Sequence, residues 1–202
     1  VAAGSLNTAT SGAVTSTFVG GVWTASGAVA DVNSLLANLS FTPSLDYNSP
    51  FTIATAVSDG SATLNGSKTL SSVAINDAPT ATNLNTAQSY TEDTVLALTP
   101  IVVGDVDSAS VTVTLTLSDV AAGSLNTATS GAVTSTFAGG VWTASGAVAD
   151  VNSLLASLSF TPSLNYNSAF TIATAASDGS ATLNGSKTMS GGAVNDAPTA
   201  TN

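Results

Sequence analysis

The 202-residue chain combines twelve acidic residues with two lysines and no arginine, which gives it a formal net charge of −10. Phosphate groups would find almost no cationic contacts on such a surface, so we expect no nucleic-acid partner. The absence of cysteine and histidine excludes disulfides, thiolate or histidine metal sites and most acid–base catalysis, and no apolar run reaches the roughly 18 residues of a membrane helix.

The chain repeats itself at an offset of 119 residues. Residues 1–83 recur as residues 120–202, and only nine of the 83 pairs differ. The differing positions of the first copy are 19, 38, 46, 50, 57, 70, 72, 73 and 75. A period of this length fits one ordinary domain and predicts a tandem array. We therefore expect residues 1–77 to be the C-terminal part of one repeat, 78–196 a complete repeat, and 197–202 the start of the next.

The first structural signal along the chain is an apolar stripe at helical spacing. It predicts one short helix in each copy, with its apolar side chains in the core. The two stripes consist of Val29, Val32, Leu35, Leu36 and Leu39, and of Val148, Val151, Leu154, Leu155 and Leu158.

Strand signals dominate the rest of the sequence. Residues 51–55, 111–118 and 170–174 alternate strictly between apolar and hydroxyl side chains, as half-buried antiparallel strands require. A Gly-Gly pair at 139–140 and an Asn-Gly pair at 184–185 separate such runs. Both pairs predict tight hairpins.

Short strands, frequent turns and a core poor in aromatic residues predict an all-β fold. We expect Greek-key β-sandwich repeats in tandem, each with one short helix. The Asn-Asp-Ala-Pro sequences at 76–79 and 195–198 are the expected linkers, because proline ends a β-ladder and fixes its own φ.

The acidic residues lie mostly at the ends of predicted segments. Asp105 and Asp107 point the same way if their segment is extended, and the pair at 92–93 follows an expected first strand. Carboxylates grouped without basic neighbours repel one another, so such a group usually persists because a cation occupies it. An all-oxygen ligand set suits Ca²⁺ rather than zinc or copper.

Five motifs follow one another in a fixed order over essentially the whole repeat. They are Thr-Glu-Asp at 91–93, Asp-x-Asp at 105–107, Leu-Asp-Tyr-Asn at 45–48, Ala-x-x-Asp-Gly at 56–60 and 175–179, and the two linkers. In this order they resemble the cadherin-like (immunoglobulin-like) repeats of giant bacterial surface adhesins of the RTX type, which are exported by type I secretion.

The resemblance implies calcium at the junctions between consecutive repeats. At the junction inside this chain the implied ligands are Asp46, Asn48, Asn76, Asp77, Asp105, Asp107 and Asp178. At the other junction the implied half-site consists of Glu92, Asn165, Asn167, Asn195 and Asp196. Asparagine replaces the family's glutamate at 48 and 167, and Asp46 becomes Asn165 in the second copy. We therefore expect one or two ions per junction, bound in the millimolar range of extracellular modules.

Each candidate also has a structural interpretation. The acids at 105–107 are compatible with a solvated loop, the residues at 76–77 with an Asx turn before proline, and Asp178 with a plain turn. Glu92 is compatible with a simple charge at a strand end. Trp142 could offer a sugar-stacking face, but its flanking strand residues favour a place in the core or over a hairpin.

Two functions compete at this point. The first is a non-enzymatic, calcium-stiffened spacer or stalk of an extracellular adhesin on the bacterial cell surface, with neighbouring repeats of the same chain as partners. The second is the repeat subunit of a self-assembling extracellular filament or sheath, because residues 1–83 lack a counterpart of the strands in 84–119 and would expose sheet edges unless preceding residues or a neighbouring subunit supply them. A metal-assisted hydrolase is disfavoured, since no acid, base or nucleophile accompanies the carboxylates.

Overall fold

The computed structural model describes residues 2–198 of the chain. It is mainly β, with 47% strand and 9% helix, and the expected β-rich fold with two short helices is confirmed. The chain divides into two compact units, Val1–Ile75 (unit 1) and Asn76–Asn202 (unit 2). Within residues 2–198 no helix has both the length and the apolar character needed to cross a membrane.

Unit 1 consists of short antiparallel pairs and one helix. Its elements are β1 (Gly4–Leu6), β2 (Thr10–Ser11), β3 (Val14–Thr15), β4 (Thr17–Val19), β5 (Val22–Thr24), α1 (Val29–Ala37), β6 (Phe41–Pro43), β7 (Phe51–Ser58) and β8 (Thr63–Leu70). The strands pair as β1 with β6, β2 with β3, β4 with β5 and β7 with β8. Among the described residues of this unit, no sheet has more than two strands.

Unit 2 contains a larger set of strands and the second helix. Its elements are β9 (Thr80–Thr82), β10 (Gln88–Thr91), β11 (Leu96–Ala97), β12 (Val102–Gly104), β13 (Ser110–Leu117), β14 (Gly123–Leu125), β15 (Thr129–Ser130), β16 (Val133–Thr134), β17 (Thr136–Ala138), β18 (Val141–Ala147), α2 (Val148–Ala156), β19 (Ser159–Pro162), β20 (Phe170–Ser177) and β21 (Thr182–Gly192).

The main sheet of unit 2 has six strands in the order β10-β21-β20-β13-β18-β17. Its pairs are antiparallel except for β10 with β21, which is parallel. A three-stranded sheet has the order β11-β19-β14, and two further pairs are β9 with β12 and β15 with β16.

The strand β13 lies inside the six-stranded sheet, and its alternating burial confirms the strand predicted from residues 111–118. Its apolar residues Val111, Val113, Leu115 and Leu117 are all buried, while the intervening threonines are not. One edge pairs with β18 and the other with β20. The residues that alternate in sequence therefore supply the centre of the core of unit 2.

The helices are where the apolar stripes predict them. In α2 the buried residues are Val151, Leu154 and Leu155, and Leu158 is buried just beyond the helix end. Asp150 lies in the first turn of α2, where the positive end of the helix dipole stabilises a negative charge. The burial of this stripe confirms its interpretation as core in unit 2. In unit 1 that prediction is wrong for Val29 and Leu36, which are 76% and 44% exposed, and only Leu35 of α1 is buried.

The same sequence forms a longer strand in unit 2 than in unit 1. Residues 22–28 and 141–147 are identical, yet β5 ends at Thr24 whereas β18 continues to Ala147. All seven residues of β18 are paired with β13. The longer strand is therefore stabilised by its neighbour rather than by its own sequence.

One hairpin prediction is confirmed and the other is wrong. The Gly-Gly pair at 139–140 joins β17 to β18, as expected. The Asn-Gly pair at 184–185 lies inside β21 instead, and the turn lies at residues 178–181. There Asp178 Oδ1 accepts hydrogen bonds from the Ser180 and Ala181 N–H groups, and Gly179 has φ +95°.

The presence of glycine at position 185 is explained by neighbouring side chains that pack closely against its backbone, and not by a turn. A Cβ atom at this position would lie 2.6 Å from Asn85 Oδ1 and 2.8 Å from Leu84 Cβ. A glycine inside a strand often marks such a contact, and the sequence alone does not distinguish it from a hairpin turn.

The difference in burial between the copies predicts unequal effects of the same substitution. Leu155 is 1% exposed and its counterpart Leu36 is 44% exposed. We expect Leu155→Ala to lower the free energy of unfolding of unit 2 by about 2–5 kcal/mol, because it leaves a cavity in the core. The matched control, Leu36→Ala, should cost less than about 1 kcal/mol.

The measurement is urea unfolding of the full chain, followed for Leu155→Ala by the fluorescence of Trp142 in a Trp23→Phe background and for Leu36→Ala by the fluorescence of Trp23 in a Trp142→Phe background. Equal losses of stability for the two substitutions would contradict the difference in packing between the units.

Candidate calcium-binding residues

The predicted ligands are distributed over both units. Asp46 and Asn48 belong to unit 1, and the remaining candidates belong to unit 2. Within unit 2 the structure connects two groups. The linker cluster consists of Asn76, Asp77, Asp105, Asp107 and Asp178, and the Glu92 cluster consists of Glu92, Asp93, Asn165 and Asn167.

Hydrogen bonds connect the linker residues to two loops of unit 2. Asn76 Nδ2 donates to Asp178 Oδ2 at 2.8 Å, and the Asp77 N–H donates to Asp107 Oδ2 at 2.8 Å. These contacts join residues separated by 102 and 30 positions in the chain. The structure therefore connects these residues in two hydrogen-bonded groups, Asn76 with Asp178, and Asp77 with Asp107 and Asp105, which are linked through the adjacent positions 76 and 77.

Asp105 is the member of the linker cluster whose bonding is incomplete. Its Oδ1 atom accepts hydrogen bonds from the Asp107 N–H at 2.9 Å and the Ser108 N–H at 2.6 Å, which is an Asx turn. Its Oδ2 atom is buried and has no hydrogen-bond partner among residues 2–198. A buried, unsatisfied carboxylate oxygen in a native fold calls for an ion, a water molecule or another partner.

Asp178 is both a turn residue and a member of the cluster. Its pKa is lowered, mainly by the hydrogen bond from the Ala181 N–H, then by the Asn76 side chain and the Ser180 N–H. The pKa of its counterpart Asp59 is also lowered, by the backbone hydrogen bonds of Ala62 and Ser61. The turn and ligand interpretations of Asp178 are therefore compatible.

The Glu92 cluster lies just beyond the ends of β10 and β19. Glu92 is 2% exposed, and its carboxylate accepts hydrogen bonds from Asn167 Nδ2 at 2.7 Å and from the Val194 N–H at 2.5 Å. The Asn165 N–H donates to Asp93 Oδ1 at 3.0 Å. Glu92 is thus not a solvated charge at a strand end, because hydrogen bonds fix a carboxylate inside the fold.

Four further candidates, Asp46, Asn48, Asn195 and Asp196, are exposed and lie outside both clusters. Asp46 and Asn165 have φ values of +58° and +57°, in the left-handed region where aspartate and asparagine are favoured. The turn accepts either residue, which accounts for the difference between the copies at this position. Asn195 Nδ2 donates to the Asp196 carbonyl at 3.4 Å, and no contact of either residue with Glu92 is found in the described part of the chain.

Asp119 is a site residue that the motifs do not reveal. Its Oδ2 atom accepts a hydrogen bond from the Tyr166 hydroxyl at 2.8 Å, which holds the loop between Asn165 and Asn167. Burial and this bond raise the pKa of Tyr166 to about 12. No local pattern marks the pair, since 47 positions separate its members.

Both clusters contain carboxylate and amide oxygens that could act as metal ligands. Among residues 2–198 no group of three or more acidic, histidine or cysteine side chains is arranged to hold a metal ion. Comparison with known proteins adds no assignment, because no protein-family model matches the chain and no curated protein is significantly similar to it. The cadherin-like resemblance therefore stays a prediction from the motifs.

The hydrogen bond from Asn76 to Asp178 can be tested through the pKa of Asp178. We expect Asn76→Ala to raise the pKa of Asp178 towards its ordinary value of 3.8, because the variant removes one of the hydrogen bonds that stabilise the carboxylate. The pKa of Asp59, whose carboxylate accepts hydrogen bonds from the Ala62 and Ser61 N–H groups and from no side chain, should not change. NMR titration of the side-chain carboxyl carbons measures both.

The same substitution is also expected to change how the free energy of unfolding of unit 2 depends on pH. The folded pKa of Asp178 lies below 3.8, so its contribution to stability is present above that pH and is lost as the pH falls through the folded pKa. Asn76→Ala should therefore reduce the stability of unit 2 above pH 3.8 and leave it unchanged in stronger acid. An unchanged pKa of Asp178 would contradict the contact.

Proposed function

We propose that this chain is part of a calcium-stiffened structural spacer of an extracellular bacterial adhesin, and that it is not an enzyme. The order of the five motifs supports the assignment to cadherin-like β-sandwich repeats, and the net charge of −10 is compatible with a cation-binding surface protein. The proposal places the chain at the bacterial cell surface, where it holds a binding region away from the cell.

The buried Oδ2 atom of Asp105 is the observation that carries the calcium proposal. The other oxygen of this carboxylate accepts a hydrogen bond from the Asp107 N–H, and Asp107 and Asp178 each accept a hydrogen bond from a residue of the linker. Leaving a buried carboxylate oxygen unpaired costs about 1–3 kcal/mol or more, and a cation removes that cost. No other buried side-chain oxygen or nitrogen among residues 2–198 lacks a partner.

The chemistry of the linker cluster fits calcium. Carboxylate and amide oxygens are the ligands that Ca²⁺ prefers, and its coordination tolerates irregular loops. Asp105, Asp107 and Asp178 would supply the carboxylates, with Asn76 as an amide ligand. Bound calcium would supply positive charge next to these carboxylates.

The position of the cluster supports a mechanical role. Asn76 and Asp77 immediately precede Pro79 and β9, and their hydrogen bonds attach the linker to the loops that contain Asp107 and Asp178. A cation shared by these residues would strengthen that attachment and restrict the linker. Asp46 and Asn48 of unit 1 are further ligands in the proposal, on the strength of the motifs alone.

Calcium binding is tested by isothermal titration of the full chain with CaCl₂. We expect a dissociation constant on the order of 0.1–1 mM, as in extracellular calcium modules. Asp105→Asn should weaken binding about tenfold or more, because it removes a charge from the ligand set. The matched control is Asp59→Asn, which changes the corresponding turn of unit 1 and should leave the affinity unchanged. Equal affinities for all three proteins would contradict the site.

Stiffening is tested separately by small-angle scattering of the same chain in calcium and in chelator. We expect a longer maximum dimension and a narrower distance distribution with calcium, and no calcium effect in Asp105→Asn. Identical scattering curves in calcium and chelator would overturn the spacer mechanism even if the ion binds.

The strands of unit 1 pair on one edge only, which favours a second candidate function, the repeat subunit of a self-assembling extracellular filament. Its strand β7 pairs with β8 alone among the described residues, whereas the corresponding β20 pairs on both edges. Open edges are templates for pairing with another chain. Sedimentation velocity over a wide concentration range distinguishes the candidates, since a spacer stays monomeric and a filament subunit associates.

A further inference from the structure

Helix α2 holds both ends of the loop that joins β12 to β13, residues 105–109, which we call the aspartate loop. Two residues before this loop, Asn152 Oδ1 accepts a hydrogen bond from the Val103 N–H at 2.8 Å, and Asn152 Nδ2 donates to the Val103 carbonyl at 2.9 Å. At the end of the loop, the Val148 N–H donates to the Ala109 carbonyl at 3.0 Å. The helix therefore fixes the two points between which the loop runs.

The side chain of Asn152 takes the place of a neighbouring strand beside β12. The N–H and C=O groups of one strand residue point to the same side, and both groups of Val103 bond to this one amide. Strand β9 pairs with β12 along its other edge, where Val103 is opposite Ala81. Val103 is 2% exposed, so its polar backbone groups need the partner that Asn152 supplies.

The other edge of β12 is connected to the linker. Strand β9 begins at Thr80, directly after Pro79. The Thr80 hydroxyl donates a hydrogen bond to the Gly104 carbonyl at 3.1 Å, and Gly104 immediately precedes the aspartate loop. The short strand β12 thus lies between α2 and the segment that leads from the linker residues at 76–77.

The fixed ends of the aspartate loop determine where the Asp105 carboxylate lies. Its Oδ1 atom accepts hydrogen bonds from the Asp107 and Ser108 N–H groups, whereas its Oδ2 atom is buried and has no hydrogen-bond partner among residues 2–198. If the Val103 end of the loop were released, the loop could turn this oxygen towards water and remove the cost of leaving it unpaired. The contact between Asn152 and Val103 therefore keeps Oδ2 available to an entering cation.

We propose that Asn152 is a positioning residue of the cation site, and that occupation of the site is coupled to α2. This inference rests on the proposed calcium site at the linker cluster. Asn152 acts through Val103 and β12, not as a ligand. A loop that is held in place before the ion arrives binds the ion more tightly, because less order has to be created on binding. Reciprocally, a bound ion stabilises the contact between Asn152 and Val103 by the same free energy.

Asn126 provides a matched control within unit 2. Its Oδ1 atom accepts a hydrogen bond from the Ser159 N–H at 2.6 Å, and its Nδ2 atom donates to the Ser157 carbonyl at 3.2 Å. Like Asn152, it fixes a backbone segment through one accepted and one donated bond. In the described part of the chain its side chain has no hydrogen bond to the linker cluster, β9 or β12. A purely structural role would therefore give the two asparagines the same effect on calcium binding.

The first test compares calcium affinities by isothermal titration of the full chain with CaCl₂. We expect Asn152→Ala to weaken binding about tenfold, as loss of a residue that orients metal ligands does, and Asn126→Ala to leave the affinity unchanged. Alanine favours helices more than asparagine does, so a weaker affinity would reflect the lost contact with Val103 and not a weaker α2. Equal affinities of Asn152→Ala and the unaltered chain would overturn the proposal, whereas an unaltered chain that binds no calcium would overturn the calcium site itself.

Hydrogen exchange followed by NMR tests the positioning role without calcium and keeps the two failures apart. In EDTA we expect the Asp107 and Ser108 amides, which bond to Asp105 Oδ1, to exchange at least about fivefold faster in Asn152→Ala than in the unaltered chain. The same amides should be unaffected in Asn126→Ala. Unchanged exchange in Asn152→Ala would overturn the positioning role whether or not calcium binds.

The coupling to α2 is tested in the unaltered chain, so the result does not depend on how a variant folds. Calcium should slow the exchange of the Val103 amide, which bonds to Asn152, by about the factor that Asn152→Ala removes from the affinity. The Ser159 amide, which bonds to Asn126, should exchange at the same rate with and without calcium. An equal response of the two amides to calcium would contradict the coupling.

Discussion

The pairing of β13 with strands on both sides is the interaction on which the order of unit 2 depends. It joins two hairpins into one six-stranded sheet, and its apolar residues fill the core against the helix and the facing strands. The same hairpins in unit 1 remain separate pairs. Two nearly identical sequences therefore differ in structure because one has a central strand and the other does not.

The candidate calcium residues depend on the same scaffold. Asp105 and Asp107 lie between β12 and β13, and Asp178 lies in the turn between β20 and β21, so the pairing of β13 with β20 sets the positions of both loops. The linker residues Asn76 and Asp77 then bond to these loops. A site built in this way would be sensitive to sheet formation as well as to the charges of its ligands.

Much of this organisation could be predicted from local patterns. The alternation of residues 111–118 and the helical stripe depend on neighbours in sequence, and the structure has a strand and a helix at those places. The hairpin predicted from the Asn-Gly pair at 184–185 was wrong, because turn propensity does not reveal that Asn85 and Leu84 pack closely against Gly185. The Tyr166 contact with Asp119 and the parallel pairing of β10 with β21 were equally inaccessible, since each joins distant parts of the chain.

Hydrogen exchange followed by NMR tests the central role of β13 most directly. Residues 25–28 and 144–147 have the same sequence and the same preceding residues, so their amides have the same intrinsic exchange rates. We predict slow exchange for the amides of residues 144–147 that bond to β13, and fast exchange at the corresponding positions of 25–28. Equal protection of the two segments would show that this strand forms without β13 and would contradict the account.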